Sequence, residues 1–389
     1  MDKFSVLQQY FGHSSFRPGQ EQVVDAIVSG QDVLGVMPTG AGKSVCYQVP
    51  AMLMPGLTLV ISPLISLMQD QVAALEEEGV HAACLNSALP EGLYSTILRA
   101  ALEGDYKILY VAPERLLTDS FLYLAMHARI AFVAVDEAHC VSQWGQDFRP
   151  SYLKIAEFIS RLPYRPVIGA FTATATEQVK QDMLQLNQPF TLTTGFDRPN
   201  LYFGVARPRD KERYIEEYIL DHRDRSGIVY CATRKSVESV CKELRSVGIS
   251  ATRYHAGLTP EERSKNQEDF VYDRKRVMVA TNAFGMGIDK SNVSFVLHYN
   301  MPKNLENYYQ EAGRAGRDGE RAECILLFSL GDVQTAKYFI QNSHDNDELT
   351  PEQAEAAARR DRERLDVMVG YCKTTRCLRS YLLDYFGEH

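Results

Sequence analysis

The amino-acid sequence predicts an α/β protein with two parallel β-sheets in tandem, each covered by helices on both faces. Short β-like apolar runs alternate with longer amphipathic stretches, an alternation typical of parallel sheets. These runs fall into two series, separated by a segment that breaks the pattern. The chain is also long enough for two domains, because its 389 residues are 45% hydrophobic and can fill two separate cores.

The predicted strands form two sets along the chain. The first set is "DVLGVM", "LTLVIS", "KILYVA", "IAFVAVDE" and "VIGAFTAT"; the second is "GIVYCAT", "ATRYHAG", "RVMVATNA", "VSFVLHYN" and "ECILLFS". We expect the junction at residues 194–211, where Pro199, Pro208 and charged residues interrupt the pattern. Beyond residues 343–353 the chain becomes helical and charged. The expected domains are therefore residues 1–200 and 201–342, followed by a short helical segment at 343–389.

Composition disfavours several classes of protein. No stretch approaches the ~18 to 20 apolar residues of a membrane helix, and the first residues do not resemble a signal peptide. The eight cysteines include no C-x-x-C pair and are expected to be reduced thiols. We expect a cytoplasmic protein with no membrane partner. The net charge of −8 means that nucleic acid would be held by a local groove or by base stacking.

A candidate phosphate-binding loop lies at residues 37–44, "MPTGAGKS". The strict pattern G-x-x-x-x-G-K-[ST] has a glycine where Met37 stands. The chemistry requires consecutive backbone N–H groups, a lysine and a hydroxyl for Mg²⁺, placed between a strand and a helix. The residues expected to bind the nucleotide here are Thr39, Gly40, Ala41, Gly42, Lys43 and Ser44. The alternative is an ordinary glycine-containing turn with an exposed lysine.

A second candidate element is the pair Asp136 and Glu137, which ends the apolar run "IAFVAVDEAHC". Acidic residues at the carboxyl end of a strand lie where an α/β sheet places its chemistry. Asp136 would hold Mg²⁺ together with Ser44, and Glu137 would orient or deprotonate the water that attacks the γ-phosphate of ATP. The alternative is a solvated Asp-Glu pair that opens a turn.

Five segments in this sequence resemble, in order, the motifs of superfamily-two helicases: "TGAGKS", "DEAH", "FTATAT", "ATNAFGMGIDK" and "QEAGRAGRDG". Two further stretches, "FGHSSFRPGQ" and "DEAHCVSQWGQDFRPSY", resemble the RecQ family of DNA helicases in particular. The resemblance covers nearly the whole chain. It implies two tandem RecA-like domains and an ATP- and Mg²⁺-dependent helicase that moves 3′ to 5′ on DNA in recombination and repair.

The resemblance implies an adenine site before the phosphate loop. Gln20 would hydrogen-bond the edge of the base and Arg17 would stack on its face. The family commonly has an aromatic residue where His13 stands, so stacking there would be weaker. The alternative for this stretch is a surface turn with a capping glutamine.

The resemblance also implies that "QEAGRAGRDG" brings arginines from the second domain to the ATP held by the first. Gln310, Arg314 and Arg317 are expected on one face of a helix, because they are spaced four and three residues apart. Guanidinium groups suit the charge that develops on a transferred phosphoryl group. The alternative is a basic helix face on the surface.

An aromatic-rich loop follows the DEAH residues, and the family uses such a loop to couple DNA to hydrolysis. Trp144, Phe148 and Arg149 are the expected DNA-binding residues, with the aromatic rings stacking on unpaired bases. For an isolated tryptophan the alternative is a core anchor. A separate set of polar residues is expected to line the cleft between the domains: Thr172, Thr174, Asn282 and Asp289.

The resemblance is incomplete at the end of the chain. The family continues into four cysteines that bind zinc, and here Cys377 matches the first of them. Neither Cys372 nor His389 matches a family position, so we expect an incomplete zinc-binding subdomain with no zinc site and no winged helix. The expected partners are single-stranded and partly duplex DNA, with a single-stranded-DNA-binding protein as a candidate, and the expected state is a monomer.

Two rival functions remain open at this point. One is an ATPase that responds to single strands without separating a duplex, and the other is an RNA helicase of the DEAD-box type. The second is disfavoured because "FGHSSFRPGQ" and the aromatic-rich loop follow the RecQ pattern.

Overall fold

The structure is a computed structural model that describes residues 1–38, 40–63, 65–141, 150–173, 186–284, 290–342 and 351–388. The chain divides into two compact units, Met1–Phe196 and Asp197–His389. Their boundary falls inside the segment that the sequence predicts as the junction. Each unit contains its own parallel sheet, as expected for the predicted fold class.

The strands of the first unit are β1 (Val33–Val36), β2 (Leu57–Ile61), β3 (Ala82–Leu85), β4 (Ile108–Val111), β5 (Ile130–Val135), β6 (Val167–Thr172) and β7 (Phe190–Thr193). They form a seven-stranded sheet in the order β3-β4-β2-β5-β6-β1-β7. The strand pairings are parallel, with Val33 opposite both Gly169 and Phe190. All five predicted strands are present, and β3 and β7 are additional. These two are four-residue strands at the two edges of the sheet, each with one neighbouring strand.

The helices of the first unit are α1 (Lys3–Phe11), α2 (Gln20–Val28), α3 (Lys43–Leu53), α4 (Ile65–Glu77), α5 (Glu91–Glu103), α6 (Asp119–His127) and α7 (Pro150–Arg161). Each of the strands β1, β2 and β4 is buried along its whole length. Helices therefore cover both faces of the sheet, which explains the continuous apolar runs seen in the sequence.

The strands of the second unit are β8 (Leu201–Ala206), β9 (Ser226–Tyr230), β10 (Ala251–Tyr254), β11 (Val277–Ala280), β12 (Val293–His298) and β13 (Ala322–Leu327). Their order in the sheet is β10-β11-β9-β12-β13-β8. The prediction that residues 194–211 form a junction is wrong for β8, which pairs with β13 from Leu201 to Ala206. Pro199 and Pro208 flank this edge strand without interrupting it. The two prolines are therefore compatible with a strand between them.

The helices of the second unit are α8 (Lys211–Asp221), α9 (Arg234–Ser246), α10 (Pro260–Val271), α11 (Leu305–Ala312), α12 (Leu330–Asn342), α13 (Pro351–Lys373) and α14 (Leu378–Tyr385). The last two confirm the predicted helical segment at the end of the chain. They are not an independent body, because Leu365, Met368, Tyr371 and Leu382 are buried in the same core as Ile228 of β9. Among the described residues, no helix has the length and apolar character to cross a bilayer.

The strand order of the first sheet brings three loops together at the carboxyl ends of its strands. Strands β5, β6 and β1 are neighbours, and parallel strands all end at the same edge of a sheet. Met37, Asp136 and Thr172 therefore lie close together at the carboxyl ends of these three strands.

Candidate active site

The phosphate loop, residues 37–44, connects the end of β1 to the start of α3. Gly40 and Gly42 have φ values of 86° and 78°, in the left-handed region that favours glycine. Gly42 is the residue before the helix, which begins at Lys43. The first backbone N–H groups of α3 have no partner within the helix, so this end of α3 can bind an anion.

Met37 is compatible with this loop because the loop needs no special backbone conformation at that position. Met37 is fully buried and does not have a positive φ. Its backbone N–H donates to the carbonyl of Thr172 at 2.9 Å, and its Sδ lies 3.7 Å from Sγ of Cys46. The position where the strict pattern has its first glycine is therefore occupied by a residue whose side chain is part of the core. The Lys43 ammonium group donates to the Met37 carbonyl at 3.2 Å, which holds it against the loop.

Gln20 and Arg17 contact the phosphate loop directly. Nε2 of Gln20 donates to the carbonyls of Ala41 and Gly42, both at 3.0 Å, and Oε1 accepts from the backbone N–H of Arg17 at 2.8 Å. The Arg17 guanidinium donates to the Gly40 carbonyl. A Cβ at position 42 would lie 2.5 Å from Gln20 Nε2, so this contact also requires a glycine there. The predicted adenine contacts of these residues remain a prediction, and His13 is exposed.

Asp136 and Glu137 form a buried acidic turn after β5. The backbone N–H of Glu137 donates to Oδ1 of Asp136 at 2.9 Å, and both residues are 7% exposed. Burial raises the pKa of Asp136 to about 7, the Glu137 charge adds to the rise, and the Lys43 ammonium opposes it. Glu137 has a φ of 47°, an uncommon value for a residue with a side chain.

Thr172 at the end of β6 joins the phosphate loop to the acidic turn. Its carbonyl accepts from Met37, as described above, and its hydroxyl is hydrogen-bonded to Nδ1 of His139 at 2.9 Å. The same Nδ1 lies 3.4 Å from Oε2 of Glu137. Within the described part of the chain, this carboxylate oxygen is buried and has no hydrogen-bond partner.

The residues proposed to hold Mg²⁺ fit such an ion. Hydroxyl and carboxylate oxygens are the ligands that Mg²⁺ prefers, and Ser44 and Asp136 supply one of each. The Tyr47 hydroxyl is hydrogen-bonded to Ser44, and its pKa is raised mainly by burial and also by the charge of Asp136. Asp136 is a buried carboxylate with a raised pKa, and it lies beside the buried carboxylate of Glu137. A bound cation would stabilise the ionised forms of both groups.

In the second unit, Arg314 and Arg317 lie beyond the helix that the sequence predicts for them. Helix α11 contains Gln310 but ends at Ala312, so the prediction of one continuous helix face is wrong. The two arginines belong to the arginine turn, which we define as residues 313–320. Gly316 has a φ of 58° and its N–H donates to the Val293 carbonyl at 2.8 Å, which turns the chain toward β12.

Two residues that the sequence analysis missed hold the arginine turn. The Arg198 guanidinium donates to the carbonyls of Gly313, Ala315 and Gly316 at 3.3, 3.0 and 2.9 Å. Nδ2 of Asn200 donates to the carbonyls of Gly316 and Glu320 at 2.9 and 2.8 Å. Their only signal in the sequence is the polar stretch "DRPN", which lies in the predicted junction.

Tyr230 at the end of β9 is a third residue that was missed. Its hydroxyl donates to the Phe284 carbonyl at 2.9 Å, and its ring stacks on His298 with centroids 5.5 Å apart. Burial raises the pKa of Tyr230, and the nearby Arg314 opposes the rise through its charge and a hydrogen bond. Arg314 is itself 6% exposed, and its Nε has no hydrogen-bond partner among the described residues.

Several predicted residues cannot be placed in this geometry. Those that lie outside the described residues are Thr39, Trp144, Phe148, Arg149, Thr174, Asp289 and His389. Asn282 is exposed after β11, Cys372 is buried and Cys377 is exposed. Within the described ranges, no cluster of three or more His, Cys, Asp or Glu side chains could hold a metal ion.

Comparisons with family models match three consecutive parts of the chain. Residues 17–182 match the DEAD/DEAH box helicase model, and residues 210–319 match the helicase conserved C-terminal domain. Residues 330–389 match the RecQ zinc-binding model.

Curated relatives match along almost the whole chain. The ATP-dependent DNA helicase RecQ of Bacillus subtilis (strain 168) is 46% identical over 99% of this chain and 64% of its own length. The protein of the same name from Haemophilus influenzae is 42% identical over 99% of this chain and 61% of its own. The ATP-dependent DNA helicase Q1 of Rattus norvegicus is 38% identical, covering 98% and 62%. The chain thus spans about three fifths of these relatives.

Solved structures with the same fold are more distant in sequence. The DUF1998 helicase MrfA bound to DNA aligns with a TM-score of 0.72 and 18% identity, covering 92% of this chain and 57% of that one. The DEAD-box helicase Mss116 bound to ssRNA and UDP-BeF aligns with a TM-score of 0.73 and 14% identity, covering 99% and 90%. At these identities the likeness concerns the fold, which is that of two RecA-like domains.

Proposed function

The chain belongs to the RecQ helicase family, and on that premise we propose that it is an ATP-dependent DNA helicase that moves 3′ to 5′ along single-stranded DNA. The observation that carries this proposal is the edge of the first sheet. There a glycine-containing loop at a helix N-terminus lies beside a buried pair of carboxylates, joined through Thr172. Phosphate-binding N–H groups and acidic residues at adjacent strand ends are the elements that hydrolysis of a nucleoside triphosphate requires.

Within the first unit, each residue has a definite role in this proposal. The N–H groups from Gly40 to Ser44 bind the β- and γ-phosphates, and Lys43 turns from the Met37 carbonyl to the terminal phosphate. Ser44 and Asp136 would hold Mg²⁺, which neutralises phosphate charge when it is bound. Gln20 and Arg17 bind the adenine. Because both side chains also donate to carbonyls of the phosphate loop, they couple binding of the base to the loop.

Glu137 acts on the attacking water. Its Oε2 is buried and has no hydrogen-bond partner in the described residues, so it is available to accept a proton or to orient a water molecule. Nδ1 of His139, which is hydrogen-bonded to the Thr172 hydroxyl, lies 3.4 Å from this carboxylate oxygen. The uncommon backbone conformation of Glu137 fixes the direction of its side chain, in keeping with backbone strain at a catalytic residue.

The second unit supplies positive charge for the transition state. Gln310, Arg314 and Arg317 are the residues for this role, and a buried guanidinium such as that of Arg314 is costly unless an anion neutralises it. Hydrolysis drives movement along single-stranded and partly duplex DNA. The residues proposed to bind this DNA are Trp144, Phe148 and Arg149.

The wider setting is part of the same proposal. We propose a monomer that acts in DNA recombination and repair, in the cytoplasm and at the nucleoid of a bacterial cell. A single-stranded-DNA-binding protein is a candidate partner. The eight free cysteines support a reducing compartment.

The test compares hydrolysis with unwinding in one protein. ATP turnover is measured with and without single-stranded DNA or RNA, and strand separation is measured on duplexes with a 3′ or a 5′ tail. We expect stimulation by DNA, unwinding of the 3′-tailed duplex alone, and neither activity in Glu137→Gln. DNA-stimulated turnover without unwinding would favour the single-strand-dependent ATPase instead, and stimulation by RNA alone would reject both.

A further inference from the structure

The arginine turn is held in shape by residues outside it. Helix α11 ends at Ala312, so the carbonyl groups that follow lie outside the hydrogen-bond pattern of the helix. Arg198 donates to three of these carbonyls, and Asn200 donates to two, sharing that of Gly316. Arg198 and Asn200 therefore fix a backbone segment that is more than a hundred residues away in the sequence.

The chemistry of Arg198 suits this task. A guanidinium group has five N–H donors in a rigid plane, so one side chain can serve several carbonyls at fixed angles. A lysine has one nitrogen and could not reach Gly313 and Gly316 together in the same way. The space at Gly316 is also filled, because a Cβ there would lie 2.5 Å from Nδ2 of Asn200 and 2.9 Å from the Glu320 carbonyl.

Arg198 is in turn held by the last helix of the chain. Arg379, in the first turn of α14, donates to Oδ1 of Asp197 at 2.5 Å, to the carbonyl of Arg198 at 2.7 Å and to that of Leu201 at 2.5 Å. Its guanidinium also lies over the ring of Phe203 in β8, 5.8 Å from the centroid. A single side chain of α14 thus fixes the backbone from which Arg198 and Asn200 project.

We propose that Arg198 is a positioning residue for Arg314 and Arg317, and that Arg379 couples helix α14 to ATP hydrolysis by holding Arg198 in place. The inference rests on the proposed function, since the two arginines act on ATP only if the chain hydrolyses it. Helix α14 lies in the part of the chain that matches the RecQ zinc-binding model. That part therefore has a second role, which is to set the geometry of the arginine turn.

The first experiment measures DNA-stimulated ATP turnover in Arg198→Lys and Arg379→Ala. Misplacing the arginines should lower kcat by about 10- to 100-fold in Arg198→Lys and by a smaller factor in Arg379→Ala, with the KM for ATP within about twofold of the parent. The matched control is Arg376→Ala, since the Arg376 guanidinium pairs with Asp384 at 2.6 Å and lies just before the same helix. The control should keep parental turnover, and an unchanged kcat in both test variants would overturn the proposal.

A second experiment does not depend on activity. Amide hydrogen exchange is followed by mass spectrometry in a peptide that covers residues 305–322. Exchange in the arginine turn should become faster in Arg198→Lys and Arg379→Ala but not in Arg376→Ala. If the parent protein fails to hydrolyse ATP, the proposed function falls, and this experiment alone decides whether α14 and Arg198 hold the arginine turn. Unchanged exchange in both test variants would show that α14 does not hold the turn. If Arg198→Lys does not fold, the half-buried Arg379 provides the deciding variant.

Discussion

Thr172 and His139 are joined by a 2.9 Å hydrogen bond between the threonine hydroxyl and Nδ1 of the histidine. Because the Thr172 carbonyl also accepts from Met37, one residue of β6 fixes both the phosphate loop and the acidic turn. The distance between the two elements is therefore set by the sheet to which Thr172 belongs. Changes at either element should alter nucleotide chemistry in ways that can be told apart.

Lys43→Ala and Glu137→Gln should both abolish hydrolysis but fail at different steps. Loss of the Lys43 ammonium removes a charge that contacts phosphate, so ATP affinity should fall. Glu137→Gln should bind ATP normally and turn over about 10²- to 10⁴-fold more slowly, because only the proton acceptor is lost. Binding of a fluorescent ATP analogue, measured beside turnover, separates the two effects. Turnover near that of the parent in either variant would contradict the assignment.

Met37→Gly restores the strict loop pattern but should harm the protein. The side chain is fully buried, so its removal should cost about 2 to 5 kcal/mol of unfolding free energy through the cavity it leaves. ATP affinity should not improve, because Met37 already has an ordinary backbone conformation. Thermal denaturation followed by circular dichroism gives the loss of stability. The control is Met126→Ala on α6, whose side chain is 48% exposed and should change stability by no more than about 0.5 kcal/mol.

Gly42→Ala should greatly weaken ATP binding. The new methyl group would lie 2.5 Å from Nε2 of Gln20, and the residue would keep a φ of 78° that alanine rarely adopts. The loop must therefore shift away from Gln20, and we expect at least a tenfold loss of affinity by isothermal titration. The control is Gly104→Ala at the end of α5, because Gly104 has a φ of 85° with no atom within 4 Å of the added methyl group, and this variant should keep ATP affinity. Parental affinity in Gly42→Ala would contradict the role of the Gln20 contact.

Asp32→Asn should destabilise the first unit in a pH-dependent way. Burial raises the pKa of Asp32, but hydrogen bonds from Arg165, Asn187 and Ile168 outweigh it and hold the pKa below the usual 3.8. The ionised form is therefore favoured by folding, and its contribution is present above pH 3.8 and lost as the pH falls through the lower folded value.

At pH 7 the asparagine variant should lose about 1 to 3 kcal/mol, because a neutral amide replaces a buried carboxylate that accepts hydrogen bonds from Arg165 and from the backbone N–H groups of Ile168 and Asn187. Thermal melts between pH 7 and pH 3 should show a difference in melting temperature between the two proteins. This difference should be constant down to about pH 4 and become smaller below it. A difference in melting temperature that grows as the pH falls would contradict the lowered pKa of Asp32.

Trp144→Ala should uncouple DNA from hydrolysis. The acidic net charge leaves stacking as a main source of DNA affinity, at about 1 to 3 kcal/mol per base. The loop follows the acidic turn without a spacer, so DNA-stimulated turnover should fall more than DNA affinity, while basal turnover is kept. The chain has one tryptophan, and its fluorescence should change when single-stranded DNA is added. Unchanged fluorescence together with parental stimulation would contradict a role for Trp144.

Local patterns in the sequence were enough to predict the architecture and the first half of the site. Buried parallel strands are continuous apolar runs, so ten of the thirteen described strands could be recognised one by one. The phosphate loop and the acidic pair are each contiguous, and their order along the chain identified the family. The edge strands β3, β7 and β8 were missed; β7 and β8 are only partly buried, and β8 lies in the segment predicted as the junction.

Only the tertiary structure determined how the site is held. The end of α11 at Ala312 depends on contacts that Gly316 makes with Val293 and Asn200, which are distant in sequence. Arg198 and Arg379 resemble any other arginine in the sequence, and their roles follow from backbone carbonyls more than a hundred residues away. A hydrogen bond to a carbonyl leaves no pattern in the sequence because every residue carries that acceptor, so such contacts can be found only when the chain is folded.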